Sequence, residues 1–335
     1  MANIEYSFIV PVFNRPKEIE ELLLSFTKFE SNIPFEIVIV EDGSNITSKS
    51  IVKAFNSQLH ISYFFKPNSG PGDSRNYGMQ KAEGNYFIIL DSDVIMPPNY
   101  LEEVNAYLSR NYVDCFGGPD AAHASFTNLQ KAINFAMTSF ITTGGIRGGN
   151  PKDKSFQPRS FNMGLSKDAF IKTGGFGRIH PGEDPDLSIR LVNLGFKTTL
   201  ISKAFVYHKR RISWSKFYIQ VNKFGMVRPI LNNWHPETQK ITYWFPSVFV
   251  MGFAIALLLK ILGYDFGLLL YSVYFGVAFL LALIQSKNLI VAFMALPAIC
   301  IQFLGYGIGF LKSNWQINVL KKNPEKSFPQ LFFKV

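Results

Sequence analysis

The sequence predicts an α/β fold, a doubly wound and mostly parallel sheet, followed by an α-helical membrane region. Two observations predict it. From Ser7 to Leu90, short apolar runs of branched and aromatic residues alternate with helical patterns, as in strands joined by crossover helices. Beyond Tyr243, three long apolar stretches follow one another with very short connections. The α/β domain is expected over residues 1–235 and the membrane region over 236–335.

The first strand is Ser7–Val12 and the first helix Glu18–Phe29. Glu36–Val40 and Ile61–Phe65 read as the second and third strands, Ser48–Asn56 and Asp73–Lys81 as the helices that follow them. Tyr86–Leu90 is a fourth strand, five uncharged residues that end abruptly in Asp91-Ser92-Asp93. The apolar stretches are 245–262, 266–284 and 289–311, each near the roughly 20 residues that a span requires. Lys260 lies near an end and can snorkel. The basic tail (Lys312, Lys321, Lys322, Lys326, Lys334) favours the inside, against three full spans. Pro297, Gly305, Gly307 and Gly309 leave a broken or re-entrant third segment open, so two or three spans are expected.

The formal net charge is +10. Its bases cluster just before the apolar stretches and no nucleic-acid module is recognisable, so membrane lipids rather than nucleic acid are the expected partner. Arg210, Arg211 and Lys216 would lie on anionic headgroups, worth about 1 kcal/mol each near the surface. Cys115 and Cys300 support neither a disulfide framework nor a zinc site. The amino terminus lacks a basic start followed by an apolar core, so the α/β domain is expected in the cytoplasm and the Asn45-Ile46-Thr47 sequon is accidental.

The chemistry concentrates at strand ends. Asp91 and Asp93 sit where open α/β sheets bind ligands, and hard cations take carboxylate and phosphate oxygens. The first strand runs into Pro11-Val12-Phe13-Asn14-Arg15 and the second into Glu41-Asp42-Gly43-Ser44, both facing the same crevice. Asn68 to Gly78 is a glycine-containing loop that opens a helix, whose amides suit a phosphate, and Arg75 offers a planar fork for a phosphate or a base edge. It is neither a Walker loop nor a dinucleotide fingerprint. Further on, Gly174-Gly175-Phe176 precedes Gly182-Glu183-Asp184-Pro185-Asp186. Asp186 and Arg190 are an i, i+4 pair, which leaves Glu183 and Asp184, ahead of the helix, for general-base work or capping. His208 is a candidate to complete a metal shell.

In this order the segments, over roughly residues 5–228, resemble the family 2 inverting glycosyltransferases with the GT-A fold and carboxy-terminal transmembrane segments. The resemblance implies that Pro11, Val12, Phe13, Asn14, Arg15 and Asp42 line the nucleotide-sugar pocket, with Arg75 near the base or diphosphate. It implies that Asp91 and Asp93 form the Asp-x-Asp motif that holds Mn²⁺ or Mg²⁺, with Asp93 favoured as the direct ligand, and that Asp184 is the catalytic base. Asn162 to Gly164, Gly174, Gly175, Phe176 and Glu183 fall on the acceptor side. A nucleotide-sugar donor, UDP favoured through Asp42, and a lipid-linked or saccharide acceptor are implied, as in exopolysaccharide or cell-envelope assembly at a bacterial inner membrane. A catalytically silent scaffold, a sugar-1-phosphate nucleotidyltransferase and a processive synthase are the alternatives. Processive members carry Gln-x-x-Arg-Trp where this chain has Gln220-Val221-Asn222-Lys223-Phe224, which favours transfer of one sugar or a few. Truncation after Asn233 is expected to release a soluble domain.

Overall fold

The computed structural model describes residues 4–121, 126–144, 156–208 and 213–333. In chain order these form β1 (Tyr6–Val12), α1 (Pro16–Phe26), β2 (Phe35–Asp42), α2 (Lys49–Phe55), β3 (Ile61–Lys66), α3 (Pro71–Lys81), β4 (Tyr86–Leu90), β5 (Val94–Ile95), α4 (Tyr100–Arg110), β6 (Cys115–Gly117) and β7 (Asp120–Ala121). There follow α5 (Asn128–Thr138), α6 (Phe140–Thr143), β8 (Asn162–Ser166), α7 (Lys167–Thr173), α8 (Glu183–Asn193), β9 (Thr198–Leu200), β10 (Val206–His208), α9 (Trp214–Trp234), α10 (Phe245–Ile261), α11 (Phe266–Ser286), α12 (Leu289–Asn314) and α13 (Pro324–Ser327). The chain divides into two compact units. One comprises Met1–His123, Asn150–His208 and Phe332–Val335, the other Ala124–Gly149 and Lys209–Leu331.

The first unit is built on a seven-stranded sheet of order β3-β2-β1-β4-β8-β6-β9. β1 pairs in parallel with β2 and β4, and β2 with β3, while β8 runs antiparallel to β4 and β6. Alternation along β1 explains the two layers of core. Tyr6, Phe8, Val10 and Val12 face a cluster with Ile19, Leu22, Leu23 and Phe26 of α1 and Leu101 and Val104 of α4. Ile9 faces the opposite cluster with Val40, Met79 of α3, Phe176 and Leu187 of α8. Strands covered on both faces carry no polar stripe, so they read as continuous apolar runs. α1 forms because Pro16 opens it and Ile19, Leu22, Leu23 and Phe26 recur on one face. A second sheet of three short strands, order β5-β10-β7, sets His208 opposite Val94, next to Asp93.

The second unit is helical. α10, α11 and α12 are long and apolar enough to cross a membrane. α12 is one continuous helix through Pro297 and ends in a π-helical turn, Trp315–Val319, so the break left open by its proline and glycines is not present. Its glycines serve close packing instead. A Cβ on Gly309 would lie 2.3 Å from the Asn222 carbonyl oxygen of α9, and one on Gly305 2.6 Å from Val221. Asn222 Nδ2 donates to the Gly305 carbonyl at 2.9 Å. α5 joins this unit: Ile133, Phe135 and Ala136 pack in one cluster with Ala282, Ala295 and Phe303.

Candidate active site

Three neighbouring parallel strands, β2, β1 and β4, end together at Asp42, Val12 and Leu90, and the polar residues that follow them form the floor of the site. Asn14, in left-handed backbone at φ 54°, ties two of these ends together. Its N–H donates to Ser44 Oγ at 2.7 Å, and its Oδ1 accepts from the Asn45 and Ile46 amides at 2.9 and 3.1 Å. Pro11 and Val12 close β1, Val12 buried, while Phe13 is exposed beside them.

The acids after β4 are both paired with arginines. Asp93 accepts from Arg15, and Asp91 Oδ1 accepts from Arg75 Nη2 at 2.8 Å. Arg75 is buried on α3, and its second amine, Nη1, donates to Glu183 Oε1 at 3.0 Å. The forked guanidinium therefore joins the strand-end acids to the first turn of α8. Its face lies over Phe176, 5.3 Å from the ring centroid. Both Arg75 and Glu183 side chains are only 4 % exposed, and Arg75 Nε and Glu183 Oε2 have no hydrogen-bond partner among the described residues. His180 completes this chain of contacts, its Nδ1 2.9 Å from Glu183 Oε1.

The structure places Glu183 and Asp184 inside the first turn of α8, with Gly182 as N-cap, rather than ahead of the helix. Asp184 Oδ2 is 3.7 Å from Arg159 Nη1, and the side chain is 18 % exposed. Burial pushes its carboxyl above the usual range, with the Glu183 charge adding to it against the opposing Arg159 and Arg75. Glu183 moves the other way. Burial alone would raise it, but His180 and Arg75 overcome burial and hold it down at about 2. Two adjacent carboxylates are thus pushed apart, the pattern by which one of a pair becomes available for proton transfer. Asp186 is occupied by Arg190 at 2.8 Å, and Arg190 also donates to the Thr173 and Gly175 carbonyls at 2.6 and 2.7 Å, which fixes the Gly174–Gly175 turn.

Other expected residues are structurally committed. Asp42 accepts from Lys66 Nζ and the Ser69 and Gly70 amides, each at 2.9 Å, so it anchors the loop that opens α3. Asn162 begins the buried antiparallel strand β8 and is not in a loop. Its Oδ1 accepts from Tyr100 OH at 2.5 Å and its Nδ2 donates to the Ala204 carbonyl at 2.8 Å, and the residue is fully buried. In Gln220–Phe224 the ring of Phe224 packs against the helical core of the second unit. Arg210, Arg211 and Lys334 lie outside the described residues, as does the side chain of His208.

Asp91 and Asp93 fit a hard divalent cation. Among the described residues no group of three or more His, Cys, Asp or Glu converges. Two carboxylates with phosphate oxygens and water completing the shell is the usual arrangement for Mg²⁺.

Residues 7–174 match the family described as Glycosyl transferase family 2. The chain belongs to this family. It is 34 % identical over 244 residues to chondroitin synthase of Pasteurella multocida, covering 62 % of this chain and 25 % of that one. It is 32 % identical over 114 residues to poly(ribitol-phosphate) beta-N-acetylglucosaminyltransferase TarS of Staphylococcus aureus, covering 33 % of this chain and 20 % of that one. The chain thus spans a quarter or less of these two relatives. Among solved structures, the mannosyltransferase PcManGT of Pyrobaculum calidifontis, in complex with GDP-Man and Mn²⁺, superposes with a TM-score of 0.61 at 14 % identity over 91 % of this chain and 88 % of that one. The expected GT-A fold is the fold observed.

The sequence did not single out His180, Arg159 or Lys66. Of these, only His180 carried a signal, its i, i+3 spacing from Glu183.

Proposed function

We propose that this glycosyltransferase moves a sugar, with inversion, from a nucleotide-sugar donor to a lipid-linked or membrane-held saccharide acceptor, using a divalent cation. One observation carries the reading: Arg75 holds Asp91 and Glu183 in a single buried ion pair network, with Asp184 the next residue along α8. An acid suited to a metal-bound diphosphate is thereby tied through one guanidinium to the helical turn that carries a carboxylate suited to a general base.

In this reading Asp91 and Asp93 hold the cation, with His208, opposite Val94, a further candidate ligand. When bound, Mn²⁺ or Mg²⁺ neutralises charge on the departing nucleoside diphosphate. Arg15 and Arg75, freed in part from the carboxylates they now bind, supply positive charge beside the phosphates. Asp184 accepts the proton of an acceptor hydroxyl. The oxygen forms its bond to the anomeric carbon from the face opposite the diphosphate, whose bond to that carbon breaks and whose oxygen keeps the electron pair. Holding acceptor and donor in line supplies much of the acceleration. Its raised pKa makes Asp184 a stronger base than an ordinary carboxylate.

The relatives' names support a saccharide acceptor, and PcManGT supports Mn²⁺ with this fold. UDP as the donor's nucleotide rests on the resemblance at Asp42. The membrane assignment is supported by α10–α12, while a cytoplasmic α/β unit at an inner membrane rests on the resemblance. We favour two full crossings. Phe332 forms a β-bridge with Ile179 of the α/β unit, which supports an even number of crossings between 208 and 332. The apolar window of α12 is 44 % buried, against 11 % in each of the other two helices, as suits a helix packed within its unit rather than facing lipid.

The test is nucleoside diphosphate release by purified protein across a panel of UDP-, GDP- and dTDP-sugars, with Mn²⁺, Mg²⁺ or a chelator. Release from one donor, abolished by the chelator, is expected. Turnover that survives the chelator would overturn the metal, and no binding or turnover of any nucleotide sugar would overturn the reading.

A further inference from the structure

A pocket of about 100 Å³ opens in the α/β unit between the start of α3 and residues 176–180. Its wall includes Ser69, Asp73, Asn76, Phe176, His180 and Phe333. Phe333 arrives from far along the chain. Phe332 pairs with Ile179, and the Phe333 N–H donates to the Arg178 carbonyl at 3.1 Å. The Phe333 ring lies against Gly70, where a Cβ would come within 2.3 Å of it, and its centroid is 6.0 Å from that of His180. Gly70, at φ 94°, thus gives both the turn into α3 and room for the ring.

The other walls are held by hydrogen bonds and an ion pair. Asn76 exchanges two hydrogen bonds with the Phe176 backbone, at 2.9 and 2.8 Å. His180 is oriented by Glu183, which Arg75 fixes in turn. Asp73 is held by Lys66 at 2.9 Å. The pocket therefore presents the Phe333 ring and, around it, a carboxylate, an amide, a hydroxyl and an imidazole. A pyranose has the complementary surface, apolar C–H faces rimmed by hydroxyls. The volume suits one ring and not a nucleotide, being well below the roughly 300–1,000 Å³ of sites for drug-sized ligands.

We propose that Phe333 forms the aromatic wall of a monosaccharide subsite and is a specificity-determining residue contributed from outside the family-matched residues 7–174. The inference rests on the glycosyl-transfer reading above. The ring that occupies the subsite belongs either to the donor or to the acceptor, and kinetics separate the two.

Phe333→Leu keeps an apolar side chain against Gly70 but removes the flat face, and Phe333→Tyr restores it. Each is assayed for donor hydrolysis in water, for inhibition by the free nucleoside diphosphate, and for transfer to a series of methyl glycosides and disaccharides. The expected result is a KM raised roughly 3- to 10-fold in Phe333→Leu for the sugar-bearing substrate, with unchanged inhibition by the nucleoside diphosphate and recovery in Phe333→Tyr. A raised donor KM assigns the donor's ring, and a raised acceptor KM assigns the acceptor's. Unchanged constants in an active Phe333→Leu enzyme would overturn this inference alone, as would inhibition weakened as much as donor binding. A wild-type protein with no glycosyl transfer would overturn the function proposed above and this inference with it.

Discussion

The two units bury polar atoms in opposite ways. In the α/β unit, charged side chains go inside and are met by several partners each: Arg75 by Asp91 and Glu183, Asp42 by Lys66 and two backbone amides. In the helical unit the interior is apolar, alanines such as Ala278, Ala282, Ala292, Ala295 and Ala298 packed with rings such as Phe217 and Phe303, while Ile241, Ile261 and Ile284 stand exposed at 88, 80 and 71 %. The first pattern suits a site that must hold ionic substrates in water. The second suits helices whose outer faces meet lipid and whose packing depends on close backbone approach rather than on apolar contrast.

The largest expected effect bears on whether the units separate at all. Sequence composition alone suggests that a chain ending after Asn233 is a soluble domain. The structure predicts otherwise, because such a chain keeps α5 but loses α11 and α12, the cover of Ile133, Phe135 and Ala136. The truncated protein is expected to aggregate without detergent on size-exclusion chromatography. A monodisperse monomer would show that α5 needs no helical partners.

Next comes the buried network. Arg75→Met leaves Glu183 buried without its countercharge, and removing one partner of such a pair costs about 3–5 kcal/mol. Thermal unfolding of the α/β unit should fall accordingly, and an unchanged melting temperature would mean that Glu183 is relieved some other way. The counterpart in the helical unit is Gly309→Leu, whose first added carbon meets the Asn222 carbonyl oxygen at 2.3 Å. Overpacking of this kind costs about 1–3 kcal/mol, to be read as a lower melting temperature in detergent with donor binding by the α/β unit retained.

How much of this was legible follows the same divide. β1 to β4 were readable because strands covered on both faces are runs of apolar residues, and α10–α12 because lipid-length helices are too. β8 was not. Asn162-Met163-Gly164-Leu165-Ser166 is a poor strand former, and Gly164 sits there because the Phe116 ring occupies the place of a side chain. Nor was α5, whose amphipathic pattern fits a soluble helix as well as one covered by α11 and α12. At the site, the strand-end and α8 acids were readable as types. That Arg75 joins them, that Asp42 also anchors the loop into α3 and that Phe333 reaches the pocket depend on contacts far apart in sequence, and no local pattern records those.

The smallest expected effect is electrostatic. Arg159 lowers the Asp184 pKa against the burial that raises it. Arg159→Gln removes that influence, so Asp184 should hold its proton to higher pH. A base must be deprotonated to act, so the acidic limb of the kcat/KM profile should move to higher pH. A limb that stays in place would mean that another group sets it.

The most direct test of the account compares wild type and Asp184→Asn in two assays on the same preparations, nucleotide-sugar binding and sugar transfer. The account predicts that binding is retained while transfer falls by roughly 10²–10⁴-fold, the usual contribution of a general base. Transfer at the wild-type rate, or binding lost together with transfer, would contradict the assignment of Asp184 as the base beside an independently held donor site.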